Sequence, residues 1–168
     1  MSVVKGESAP LAVVDIDGVL ADVRHRLHHL SGRRRDWDAF FAAAGDDAVL
    51  PEGRAQIDKA RADGLDIVYL TGRPERCRPG TLAWLGEHGF PEAPLVMRAD
   101  DDRRPARRFK VEVVEGLASA ARVSRVIDDD AAVCQAMREA GFPVVHARWM
   151  DEGDVATLAQ AQETLGRT

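Results

Sequence analysis

Cysteine is scarce in this chain of 168 residues: there are two, Cys77 and Cys134, and they form neither a CxxC pair nor a metal-ligand spacing. Both are expected to be structural, in a reduced, cytoplasmic protein. No apolar run approaches the roughly 20 residues that a membrane span requires, so no crossing of a membrane is expected. The opening MSVVKGESAP lacks the basic start and long apolar stretch of a secretory signal. No GxxxxGK(S/T) loop occurs, so the sequence offers no residues to cradle the phosphates of ATP. The histidines form no HExxH pattern, which leaves His25, His28 and His29 as surface or phosphate-neighbouring groups rather than zinc ligands. Positive charge is also short overall. A net charge of −5 argues against holding nucleic acid by bulk electrostatics, although local basic patches can still do so.

What remains is an ordinary globular composition, 45% hydrophobic and 30% charged, without repeats or low-complexity linkers. The length suits one domain, taken here as residues 1–168. The run Leu11 to Ile16 is short, apolar and β-branched, and reads as a buried strand. Pro51 and Glu52 open a helix to about Ala62, stopped by Asp63-Gly64. Further strands are expected at Asp66–Leu70, Leu95–Met97, Ser124–Ile127 and Pro143–His146. Helices are expected around Thr81–His88, after Pro105, over Ala131–Ala140 and from about Asp154. Such alternation implies an α/β fold, a doubly wound parallel sheet with right-handed crossovers and ligands at the carboxyl ends of its strands.

Chemistry gathers at those ends. Asp15-Ile16-Asp17-Gly18 ends the first strand, Thr71-Gly72-Arg73 the second, and Asp128-Asp129-Asp130 a later one, with Lys110 near the start of the helix between. An Asp-x-Asp-Gly alone is compatible with a plain turn. Together, these tips would set anionic ligands for a hard cation beside donors for phosphate oxygens.

The stretches VVDIDGVL, YLTGRPE, Lys110 and VIDDD stand in the order and spacing of the four motifs of the haloacid dehalogenase superfamily, which the chain resembles over about residues 11–150. Within it, DIDGVLADVRHRL, DWDAFF, TGRPE and PLVMR are similar to the 3'-phosphatase domain of phage and bacterial polynucleotide kinase/phosphatases. The resemblance implies a Rossmann-like sheet and a magnesium-dependent phosphomonoester hydrolase working through an aspartyl-phosphate. Asp15 would be the nucleophile. Asp17 would be the general acid and base, with its backbone carbonyl a metal ligand. Thr71, Gly72, Arg73 and Lys110 would bind the phosphoryl group. Asp15, Asp17, Asp128 and Asp129 would hold Mg2+, and Asp130 would cap the following helix.

The stretch 19–50 is too short for a large cap domain and reads as a small cap insertion. Its Arg24, His25, Arg26, His28, His29, Arg33, Arg34 and Arg35, followed by Trp37, Phe40 and Phe41, could track a nucleic-acid backbone and stack a base. The aromatics could equally pack beneath a cap helix while the arginines face water. The expected substrate is a DNA or RNA 3'-phosphate. A nucleotide or other small phosphoester is the alternative, and a receiver-like phospho-accepting module is the alternative of another class.

Overall fold

The computed structural model describes residues 8–31, 33–150, 158 and 160. Strand β1 (Leu11–Val14) is followed by a compact insert: strand β2 (Ala21–Asp22), a 3₁₀ turn (Arg24–His29), helix α1 (Trp37–Ala42), a second 3₁₀ turn (Ala43–Asp46) and strand β3 (Ala48–Val49). Then come α2 (Pro51–Ala62), β4 (Asp66–Pro74), a 3₁₀ turn (Glu75–Cys77), α3 (Arg78–Glu87), β5 (Leu95–Arg98), α4 (Ala106–Ala118), β6 (Val123–Asp128), α5 (Ala131–Glu139) and β7 (Val144–His146). The helix expected from about Asp154 lies outside the described residues.

Five parallel strands form one sheet in the order β5-β4-β1-β6-β7. From the central β1 the chain winds outward through β4 and β5, then crosses back to place β6 on β1's other side. That reversal makes the tip of β1 the switch point, where crevices in such sheets open. Both faces of the sheet are covered, as a parallel sheet requires. Alternate side chains of β1 point opposite ways: Ala12 and Val14 join the core with Ile57, Ala60 and Trp84, while Val13 joins Phe109, Val126, Val133 and Met137 on the other face.

The element reading needs two corrections. The second strand runs on through Thr71-Gly72-Arg73 to Pro74 instead of stopping at Leu70. Between the pairs Leu70↔Val96 and Pro74↔Arg98, β4 spends four steps against two on β5. The surplus residues bulge, and the bulge delivers Thr71 and Arg73 to the site. The small insertion expected after β1 is built from several short elements rather than one cap helix. Its ends are tied by antiparallel pairing of β2 with β3 (Ala21↔Val49, Asp22↔Ala48), and Asp36 caps α1 by accepting from the Ala39 amide at 2.9 Å. Trp37, Phe40 and Phe41 pack with Val23, Leu27, Leu30 and Leu50 into a separate apolar cluster. Packing thus claims Trp37, Phe40 and Phe41, all three of them buried.

The insert rests directly on α2. A Cβ at Gly53 would stand 1.9 Å from the Val19 carbonyl oxygen, so only glycine fits there. Gly53→Ala is expected to cost about 1–3 kcal/mol through overpacking, measured as a lower denaturation midpoint in urea. An unchanged midpoint would show that the insert does not press on α2.

Candidate active site

Asp15 leaves β1 with its amide donating to the Ile127 carbonyl at 3.0 Å, which carries the sheet's parallel pairing one residue past the strand. Its carboxylate accepts from the Lys110 ammonium at 2.7 Å, and Lys110 also donates to Asp128 at 2.7 Å. Lys110 projects from the first turns of α4 and is buried, so its charge is stable there only because two carboxylates face it. Its pKa is accordingly raised: burial works against the ammonium, and Asp128 and Asp15 outweigh it.

Asp129 completes this group. One oxygen from each of Asp15, Asp128 and Asp129 can be chosen so that all lie within 4.8 Å of one another. Burial, then the charges of Asp128 and Asp17, push Asp15 up to about 7 against the pull of Lys110. Burial and the neighbouring Asp15 and Asp128 likewise raise Asp129. Asp129 Oδ1 is buried without a hydrogen-bond partner among the described residues. Three buried carboxylates sharing one lysine, with an orphan oxygen, form an oxygen-rich set that suits a hard divalent cation. Gly18 permits the crowding: its φ is 74°, and a Cβ there would meet Asp129 Oδ2 at 2.2 Å. Asp130 takes no part and caps α5, accepting from the amides of Ala132 and Val133.

Two residues beyond Asp15, Asp17 occupies a different electrostatic world. Its carboxylate accepts from Arg26 Nη2 at 2.7 Å and from Arg73 Nη2 at 2.5 Å. Burial alone would raise its pKa, but Arg26 and then Arg73 hold it well below the ordinary range. Asp47 closes the cage, accepting from Arg26 at 2.6 and 2.7 Å and from Arg73 at 3.3 Å. Trp84 Nε1 donates to the Asp47 carbonyl at 2.8 Å and so fixes that residue to α3. His25 lies against Asp47 Oδ1 at 2.8 Å.

The structure therefore brings the eight sequence-predicted positions to one end of the sheet but divides their contacts. Asp15, Lys110, Asp128 and Asp129 form one cluster. Asp17 and Arg73 belong to the other, so the Asp17 carboxylate stands outside the three-carboxylate group. Arg73 also donates to Thr81 Oγ1 at 3.2 Å, and Thr71 Oγ1 accepts from the Arg73 amide at 3.2 Å. Gly72 sits buried between them. Arg26 overturns its assignment to a basic face, because it is wholly buried with its guanidinium 4.1 Å from the Phe40 ring centroid.

One member of the cage carries no motif signal. Asp47 reads as an ordinary acid before a short strand. Arg98 ends β5 in the PLVMR stretch and is buried, with its guanidinium 4.8 Å from the Phe109 ring centroid. Its Nη1 donates to the Arg104 carbonyl at 2.7 Å, while Nε and Nη2 have no partner among the described residues. Burial lowers its pKa to about 10.

Comparison with known proteins agrees with this geometry. A family model described as polynucleotide kinase PNKP phosphatase domain, of the haloacid dehalogenase (HAD) type, matches residues 9–151. Two structures of Pnkp1/Rnl/Hen1 complexes, one titled as an RNA repair complex, superpose with TM-scores of 0.68 at 22% and 24% identity. The matches cover 82% and 86% of this chain but only 42% and 48% of theirs, so the chain spans less than half their length. A class C acid phosphatase from Bacillus anthracis superposes with a TM-score of 0.62 at 14% identity, covering 93% of this chain and 80% of its own. No curated protein matches the sequence. Among the described residues, no helix is long and apolar enough to cross a membrane.

The shift of Asp15 gives the cluster a testable pH signature. Because its folded value of about 7 lies above the ordinary 3.8, the metal-free fold holds that proton more tightly than the unfolded chain does, and it loses stability as pH rises across that window. A cation held by ionised carboxylates removes the loss. Mg2+ should therefore raise the melting temperature more at pH 8 than at pH 5, with about 2.7 kcal/mol expected at a hundredfold excess over Kd. Asp129→Asn should abolish the shift. A magnesium shift that ignores pH, or survives in Asp129→Asn, would place the cation elsewhere.

Proposed function

The chain belongs to the polynucleotide kinase PNKP phosphatase-domain family and is a HAD-type phosphatase, and from that premise we propose that it removes 3'-phosphates from nucleic-acid ends through a phosphorylated Asp15. The observation that carries the mechanism is the segregation of two carboxylates two residues apart: Asp15 against Lys110, and Asp17 between Arg26 and Arg73. Two carboxylates held in opposite surroundings can take different chemical roles, here nucleophile and proton carrier. The same segregation disfavours the receiver-like alternative, which needs an acceptor aspartate but no second, separately held carboxylate.

In the proposed first step, an Asp15 carboxylate oxygen attacks phosphorus and the bond from phosphorus to the leaving 3'-oxygen breaks. Asp17 gives its proton to that oxygen, releasing a hydroxyl end. In the second step Asp17 takes a proton from water, the water oxygen attacks phosphorus, and the bond from phosphorus to Asp15 breaks. Phosphate leaves, Asp15 is restored and Asp17 is protonated again.

The cage imposes a condition on this cycle. With both arginines in place Asp17 is held ionised, which suits the base role and opposes the acid role. Its protonation requires a guanidinium to withdraw, and Arg73 has a reason to: phosphoryl oxygens offer it a bidentate partner. Arg73 would then serve both as phosphate ligand and as the catch that arms Asp17. Thr71, the Gly72 amide and Lys110 would bind the remaining phosphoryl oxygens. Asp15, Asp128 and Asp129, with the Asp17 carbonyl, would hold Mg2+, whose charge would keep Asp15 ionised and offset that of the phosphoryl group.

The family supports phosphate-ester hydrolysis, and its name and the RNA repair assembly support nucleic-acid ends. The insert, too small to seal the site, would act as a cap that leaves room for the end of a polymer. The test is phosphate release with Mg2+ from a 3'-phosphorylated oligonucleotide, with a 5'-phosphorylated oligonucleotide and acetyl phosphate as controls. Selective 3' release is expected, and it should fall about 10⁴-fold or more in Asp15→Asn. Release from acetyl phosphate alone would reject the end-processing reading and leave a phosphatase of small acyl phosphates.

A further inference from the structure

Lys110 can donate to Asp15 and Asp128 at 2.7 Å only if α4 starts at the right height and with the right rotation. That start is weakly secured by the helix itself. It follows Pro105, and no side chain caps its first amides. The residues just ahead of it, 99–105, belong to neither strand nor helix.

Arg98 supplies the missing hold. It ends β5, and its Nη1 donates to the Arg104 carbonyl at 2.7 Å, one residue before Pro105. Its guanidinium also lies 4.8 Å from the centroid of the Phe109 ring, in the first turn of the helix. One buried planar group thus grips the chain on both sides of the helix start. Consecutive helix residues point about 100° apart, so fixing Phe109 fixes the direction of Lys110. We infer that Arg98 is the positioning residue for Lys110, aligning its ammonium with the carboxylate cluster and with the phosphoryl group it would bind. Alignment with the phosphoryl group rests on the proposed role of Lys110, whereas alignment with Asp15 and Asp128 is independent of it.

The place of the anchor suits this duty. In the sheet Arg98 pairs with Pro74, directly after the Thr71-Gly72-Arg73 bulge. Two residues on, Asp100 accepts from the Arg76 amide at 3.0 Å, which fastens the same loop to the turn after β4. The start of α4 is thereby set against the strand tip that carries Thr71 and Arg73. The chemistry of Arg98 points the same way. It is 1% exposed, yet Nε and Nη2 have no partner among the described residues. Asp102 stands 3.6 Å from it and is held more closely by Arg104, at 2.8 Å. A buried cation so incompletely compensated is less stable than an apolar side chain of similar size. Packing alone would be better served by methionine, so the arginine answers a demand for geometry.

The test is Arg98→Met, with the reaction of Lys110 toward acetic anhydride, mapped by mass spectrometry, as the first readout. Buried and paired with two carboxylates, Lys110 should react slowly in the wild type and faster in the variant, while the exposed Lys59 reacts equally in both. The urea midpoint should be unchanged or higher, and kcat on the 3'-phosphorylated oligonucleotide should fall about 10²-fold, the scale of an ångström's misplacement. Arg98→Lys keeps the buried charge but has no plane to lie over Phe109, and should change Lys110 reactivity and kcat in the same direction by a smaller factor. Lys110 that stays slow in either folded variant, or a midpoint that falls together with activity in both, would overturn the positioning role. A wild type that releases no phosphate from the oligonucleotide rejects the 3'-end reading, and the position of Lys110 is still decided by labelling, which needs no turnover.

Discussion

The buried ion cluster of Arg26, Arg73, Asp17 and Asp47 is the joint on which the molecule turns. Two of its members come from the insert, one from the tip of β1 and one from the bulge of β4, so the cluster fastens insert, central strand and neighbouring strand at a single point. Its formal charges cancel, two positive against two negative. That balance lets four ionic side chains be buried together without an uncompensated charge. Such clusters add little net stability over a packed apolar core, since desolvation consumes most of the attraction. What they supply is geometry, because each guanidinium fixes the angle of two carboxylates at once.

The second cluster works by the opposite logic. Lys110 faces Asp15 and Asp128, with Asp129 beside them, so three carboxylates share one cation and negative charge is left over. Burial and that surplus together raise Asp15 and Asp129, and an oxygen of Asp129 has no partner among the described residues. A stable protein would gain nothing from so unbalanced a site, and the imbalance is an invitation to positive charge. One end of a sheet thus holds a satisfied cluster beside an unsatisfied one, and Asp15 and Asp17 lie at their boundary, on one strand exit.

Much of this was legible because its signals are local. Alternating apolar runs and Gly stops gave the order of strands and helices, and the acidic tips stood out since acids seldom end buried strands without a purpose. The cap at Asp130 that the resemblance implies is present, with the Ala132 amide donating to its carboxylate. Arg26 was not legible. Within RHRLHH nothing distinguishes it from Arg24, and only the 3₁₀ turn sends Arg26 and Leu27 inward while Arg24, His25 and His28 stay exposed. Asp47 and Arg98 were hidden for a related reason: a polar residue becomes a core residue only through partners distant in sequence, such as Trp84 for Asp47 and Phe109 for Arg98. The bulge in β4 depends on register against β5, which a single strand's pattern does not contain.

The place of β1 also bears on how the protein comes into being. β1 precedes the other described strands in the chain, yet on one flank its partner is β6, with Val13 set against Val126. More than a hundred residues must leave the ribosome before that flank is covered and before Asp128 and Asp129 can approach Asp15. Contacts so distant along the chain slow folding, because a long loop must close before they form. The nascent chain consequently carries Asp15 and Asp17 well before Asp128 and Asp129 can join them, and this topology keeps the carboxylate cluster from assembling ahead of the sheet.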